Sequence, residues 1–127
     1  MIEALFSQSN YVAAKRLLDL TATRQAAITS NLANIEMPNY KRLDVPAAFE
    51  AQLQQAVAEG DTTQLRSLKP VLAEDTTAIA NRSDGNTVDL ENEMTRMYQN
   101  SLEHTLETQL VTSHLLKMRL AITGRPV

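Results

Sequence analysis

Residues 29–42 read Thr-Ser-Asn-Leu-Ala-Asn-Ile-Glu-Met-Pro-Asn-Tyr-Lys-Arg, and this stretch decides how the chain is organised. Upstream of it, Leu18, Ala22, Ile28, Leu32 and Ile35 recur at helical spacing, and Ala13, Ala14, Ala26 and Ala27 add helix propensity. Ser9 or Asn10 can cap the start through a side-chain oxygen. Pro38 ends the run, because a proline pushes the residue before it, Met37, out of the helical region. The pattern predicts a helix from about residue 9 to about residue 35, closed by a proline turn. Leu17 and Leu20 lie off the main stripe and widen its apolar face. Nothing in residues 29–42 is suited to catalysis.

A second long helix is expected at the other end. Asp89 can cap it, Glu91 and Glu93 suit its positive N-terminal end, and Lys117 and Arg119 suit its negative end. Gly124 and Pro126 stop it. Met94, Tyr98, Leu102, Leu106 and Leu110 form one apolar stripe, continued with a sideways step by Val111, Leu115, Met118 and Ile122. A helix of that length makes a rod of roughly 50 Å. Between the two, Phe49, Leu53, Ala56 and Val57 suit a short amphipathic helix over 47–59 ended by Gly60. Residues 64–68 read as a further turn before Pro70, residues 76–81 as irregular or weakly extended, and Asp84-Gly85-Asn86 as a tight turn.

The resulting expectation is a mainly α fold. Two long terminal helices form an antiparallel coiled-coil-like pair around a short mixed middle. Three segments follow: 1–42 as an N-terminal assembly helix with its proline turn, 43–86 as a variable middle, and 87–127 as a C-terminal assembly helix. A two-helix hairpin buries only the face where the helices meet, which leaves Leu17, Leu20, Leu116 and Leu120 partly wet. Each buried leucine contributes roughly 1.5–3 kcal/mol, so the bare ones drive association. Either neighbouring copies cover them, or the middle segment folds over the exposed stripe.

Composition narrows the classes of function. The 127-residue chain fits one domain, and its net charge of −3 is mixed along the sequence without a basic patch. With two Phe, three Tyr and no Trp, the packing surfaces rest on Leu, Met and Ala. There is no cysteine, hence no disulfide or thiolate metal site. The N-terminal residues lack the basic and apolar regions of a secretory signal. His104 and His114 are nearly opposite in helical phase and cannot chelate one metal; Glu103, His104 and Glu107 read as a solvated face rather than a carboxylate–histidine site. No Gly-rich phosphate loop or nucleophile turn is present. No cofactor, metal, nucleic acid or small-molecule substrate is expected, and no enzyme.

The remaining candidates are structural. Asn31 and Asn34 share a helix face and can bond across to a partner helix, or Asn34 can simply close the helix end. Ala33 permits close helix approach, and Pro38 with Tyr40 makes a stiff exit followed by an aromatic anchor.

Taken in order, Ser30-Asn31-Leu32-Ala33-Asn34, Pro38 and Tyr40-Lys41 resemble the assembly motif of bacterial flagellar rod and hook proteins, Ser-Asn-(Ile/Leu)-Ala-Asn-x-x-Thr-Pro-Gly-Tyr-(Lys/Arg). Met37 stands where that family has Thr, and Asn39 where it has Gly; Asn tolerates the left-handed turn. Residues 83–91, Ser-Asp-Gly-Asn-Thr-Val-Asp-Leu-Glu, resemble the segment before the terminal helix in the proximal-rod branch of the flagellar basal-body rod family, with Asp84, Gly85 and Asn86 as turn and Asp89 as cap. The likeness covers 5–42 and 83–123. It implies a structural subunit of the periplasmic rod that transmits torque and is exported by the flagellar type III apparatus without a cleaved signal. It also implies other rod subunits, copies of itself, the rod-to-membrane-ring adaptor and the export apparatus as partners. Helix packing would then use Leu18, Ile28, Leu32, Ile35, Met94, Tyr98, Leu102, Leu106, Leu110, Leu115 and Met118. A helical adaptor or secretion chaperone holding partner helices in a groove is the rival reading.

Overall fold

The computed structural model describes residues 9–124, in the order α1 (Ser9–Ala33), β1 (Leu43–Asp44), α2 (Ala47–Glu59), α3 (Thr62–Ser67), β2 (Ala73–Glu74) and α4 (Leu90–Thr123). The expected mainly α architecture holds: two long helices, antiparallel, with a short mixed middle. Their direction is set by the cross-contacts, Asn31 with Glu93 at one end and Tyr11 edge-on to His114 at the other.

Local chemistry accounts for most of the boundaries. Asp61 caps α3 by accepting from the amides of Thr63 and Gln64, each at 3.0 Å. Asp89 caps α4 through the amide of Asn92 at 2.9 Å. Gly60 and Gly124 close α2 and α4 with φ of 67° and 63°, and each returns its amide to the preceding turn. Ser9 and Asn10, expected as caps, are instead the first helical residues described, and Pro126, expected as a stop, lies outside the described residues. Helix α1 ends at Ala33 rather than near Ile35, the last turn loosening into residues 34–36. The strands β1 and β2 pair antiparallel, Leu43 opposite Glu74 and Asp44 opposite Ala73, whereas 76–81 is irregular.

The apolar core corrects the simple two-helix picture. It joins Val12, Ala13 and Leu20 of α1 to Val45, to Phe49, Leu53 and Ala56 of α2, and to Leu65 of α3, with Leu17, Leu68 and Leu72 packed at its edge. The middle segment therefore covers the second face of α1, and Leu17 and Leu20 are not left wet. Arg16 fastens it further, donating to the Leu65 and Arg66 carbonyls, both at 2.9 Å.

Helix α4 departs furthest from expectation. The stripe Tyr98, Leu102, Leu106 and Leu110 points away from α1, its members 67, 64, 53 and 52% exposed. Leu115, Leu116, Leu120 and Ile122 are also exposed. The residues of α4 that are buried are Glu93, Asn100, Glu107 and Met118. Polar groups therefore line most of the side of α4 that meets α1, while leucines line the opposite side. Of the residues expected to pack, Ile28 and Met118 are buried, and Leu18, Leu32, Ile35 and Met94 are half-buried. Polarity placed Tyr98–Leu110 inward; hydrogen-bond satisfaction placed Glu93, Asn100 and Glu107 there instead.

Candidate assembly site

The two segments singled out in the sequence, 29–42 and 83–91, are docked on one another and form a single unit. Asn86 is the pin. It is almost fully buried, and its amide nitrogen donates to the carbonyls of Asn34, Ile35 and Met37 at 3.1, 3.0 and 2.8 Å. These carbonyls belong to the turn that follows α1. Its Oδ1 accepts from the Val88 amide at 2.8 Å, which fixes the orientation of the side chain. Asn39 takes the left-handed conformation at φ 59° and donates its amide to the Asp84 carbonyl at 2.9 Å. Gly85 sits against it at φ 78°, a left-handed conformation that strains any side chain, and an added Cβ 2.5 Å from the Asn39 Oδ1 would also push that side chain aside. Asp84 accepts from the Asn86 amide and pairs with Arg82, both at 3.0 Å. Pro38 is exposed at the turn.

The paired amides divide their roles. Asn31 is fully buried and pairs with the backbone of Leu43 as a neighbouring strand would, donating to its carbonyl at 2.9 Å and accepting from its amide at 2.8 Å. It also reaches across to Glu93 of α4 at 3.3 Å. Tyr40 donates to Asn31 at 3.3 Å and lies 3.1 Å from the Ser30 hydroxyl. Asn34 instead bonds back to the Ser30 carbonyl at 2.8 Å, within its own helix. Ala33 is exposed at the helix end.

Beneath the motif lies an ionic cluster that sequence reading missed. Arg42 is buried, and its guanidinium donates to Asp44 at 2.9 Å, to Asp75 at 2.8 Å and to the fully buried Glu93. Burial works against its charge, but hydrogen bonds to Glu93 and Asp44 outweigh that and raise its pKa. Burial likewise pushes the Asp75 carboxyl up, and bonds from Thr77 and Arg42 more than reverse this, holding it below its ordinary value. The cluster ties β1, the loop after β2 and α4 to one cation.

The α1–α4 seam is completed by hydroxyl and amide contacts. Thr21 donates to Glu107 at 2.9 Å, and His104 Nδ1 lies 3.0 Å from the same hydroxyl. Asn100 donates to the Thr21 carbonyl at 2.9 Å and to Gln25 at 3.2 Å. Burial pushes the Glu107 carboxyl above its ordinary range, only partly offset by Thr21. A sequence signal for this seam exists: Glu93, Asn100, Glu107 and His114 recur every seventh residue, a polar heptad opposite the leucine stripe. Among the described residues no group of three His, Asp or Glu is placed to hold a metal ion.

Among the described residues the molecule is a long antiparallel helix pair, locked internally by polar contacts, with a leucine face exposed on α4; this is the class of a helical structural subunit. No protein-family model matches the chain. Curated relatives do. The chain is 30% identical to the flagellar basal body rod protein FlgB of Borrelia hermsii over 127 aligned residues, covering 86% of this chain and 92% of that protein. It is 30% identical to the FlgB of Aeromonas hydrophila (84% and 87% covered) and 28% identical to that of Escherichia coli K12 (80% and 83%). The chain belongs to the family of flagellar basal body rod proteins of the FlgB type.

Proposed function

We propose that the chain is a proximal-rod subunit of the flagellar basal body that polymerises by helix packing and carries torque through interlocked side chains. On this reading it is a structural protein without catalysis, exported through the flagellar type III apparatus with no cleaved signal and assembled in the periplasm. Its neighbours are copies of itself, other rod subunits and the adaptor to the membrane ring. Segments 1–42 and 87–127 supply the assembly helices, and 43–86 acts as a brace that completes the subunit's own core.

The observation that carries this reading is the leucine face of α4, which among the described residues is exposed and takes no part in the core. Covering five half-exposed leucines is worth on the order of 5 kcal/mol, a sizeable driving force for lattice contacts. Family membership favours this over the adaptor or chaperone reading, which the same face alone would also suit.

The test is Leu106→Asp in a strain lacking its own copy of the gene. Because Leu106 is exposed, the variant subunit is expected to keep wild-type helicity and thermal midpoint while rods fail to form and swimming stops. Swimming at the wild-type rate would overturn the proposal.

A further inference from the structure

Asn100 is almost fully buried, and among the described residues its Oδ1 has no hydrogen-bond donor. Buried side-chain oxygens in that condition are rare, because their desolvation goes uncompensated. The Nδ2 branch of the amide turns to Thr21 and Gln25, which line one flank of the α1–α4 seam. The oxygen, on the other branch, is left to a cleft of about 180 Å3 on the opposite flank, whose lining includes Asn100, Arg24, Arg42, Arg96, Asp44 and Glu103. Glu103 is exposed, and its ion pair to Arg24 spans 3.8 Å. Gln99, at the same mouth, is exposed as well. Positions 99, 100 and 103 fall within about one helical turn, so their acceptors share one rim.

The arginines do not make the cleft cationic. Arg42 is held by Asp44, Asp75 and Glu93, and Arg24 by Glu50. With Glu103, five carboxylates stand against the three guanidiniums of Arg24, Arg42 and Arg96, so the excess is negative. We propose that this cleft is a socket for the ammonium of a lysine on an adjoining subunit in the assembled rod, an inference that rests on the proposed rod reading. An ammonium presents three donors on a compact head. These match the Asn100 Oδ1, the Glu103 carboxylate and the Gln99 Oε1, and the added charge offsets the excess. A guanidinium fork is suited to two coplanar oxygens of one group, whereas here the acceptors come from three side chains. The cleft opens beside the leucine stripe, since Glu103 follows Leu102 and precedes Leu106 by less than a turn. A neighbouring helix that covers the stripe therefore passes its mouth. The socket fixes the register of that helix, which leucine against leucine leaves free to slide.

Zero-length carbodiimide coupling of isolated basal bodies tests the socket. The reagent activates a carboxylate, and an amine in direct contact then displaces it to leave an amide. After digestion, mass spectrometry is expected to find the peptide carrying Glu103 joined to a lysine of another chain. Glu103→Lys should abolish both that link and swimming. Replacing the linked lysine by Glu in the same strain should restore swimming, which loss of the internal Arg24 contact alone would not allow. Asp19→Asn, which neutralises an exposed acid paired with Arg16 outside the cleft, should leave swimming unchanged. Basal bodies that contain the chain but yield no link from Glu103 to another chain overturn the socket, as does a charge exchange that restores nothing. Basal bodies that lack the chain overturn the rod reading, and the socket with it.

Discussion

Replacing Asn86 is the sharpest probe of whether the two signature segments are one mechanical unit. Its amide nitrogen carries two hydrogens shared among three carbonyls at 2.8–3.1 Å, and its oxygen accepts a third bond from Val88 at 2.8 Å. Asn86→Ala removes all of these; the three carbonyls keep other donors, whereas the buried Val88 amide loses its partner. At about 1 kcal/mol per bond, the expected loss is about 3 kcal/mol. With a urea slope near 2 kcal/mol/M for a chain this size, the midpoint falls by about 1.5 M. Asn86→Asp should cost more, because a carboxylate oxygen then faces three carbonyl oxygens. The exposed Asn81→Ala is the matched control. Unfolding followed at 222 nm measures the loss, and amide exchange at residues 34–40 should quicken together with that at 86–88. A loss for Asn86→Ala below about 1 kcal/mol, or an aspartate tolerated as well as asparagine, would refute the pin.

Two further outcomes follow from the buried charges. Glu93→Leu strands the Arg42 guanidinium against two partly exposed aspartates and should cost about 3 kcal/mol, while adding Arg42→Met should recover part of it; denaturant titration of both variants decides this, and no recovery would mean the charge was not the cause. Glu107→Gln should stabilise the chain at neutral pH. The folded carboxyl holds its proton more tightly than the ordinary 4.5, so wild type is penalised above the folded value. The advantage of the variant should shrink as pH falls through that value and vanish below about 4.5. Thermal midpoints of both proteins between pH 4 and 8 measure the trend, and an advantage that grows on acidification would contradict it.

The sequence alone determined the helices and most of their ends, because these depend on neighbours within a few residues. Gly60, Asp89 and Gly124 each act within one turn, whereas α1 stops at Ala33, ahead of the expected end before Pro38; the two flagellar-like segments were legible as strings. It could not decide which face of α4 turns inward. Hydropathy ranks leucine above glutamate at every position, but a position also depends on what stands opposite. Arg42, Asn31 and Thr21 come from 51, 62 and 86 residues away in sequence to satisfy Glu93 and Glu107. Once those partners are present, polar side chains can occupy the seam, and the leucines turn to the outer side of α4. The covering of Leu17 and Leu20 by α2 and α3 is likewise a matter of tertiary packing, since nothing local distinguishes an apolar face awaiting its own chain from one awaiting another.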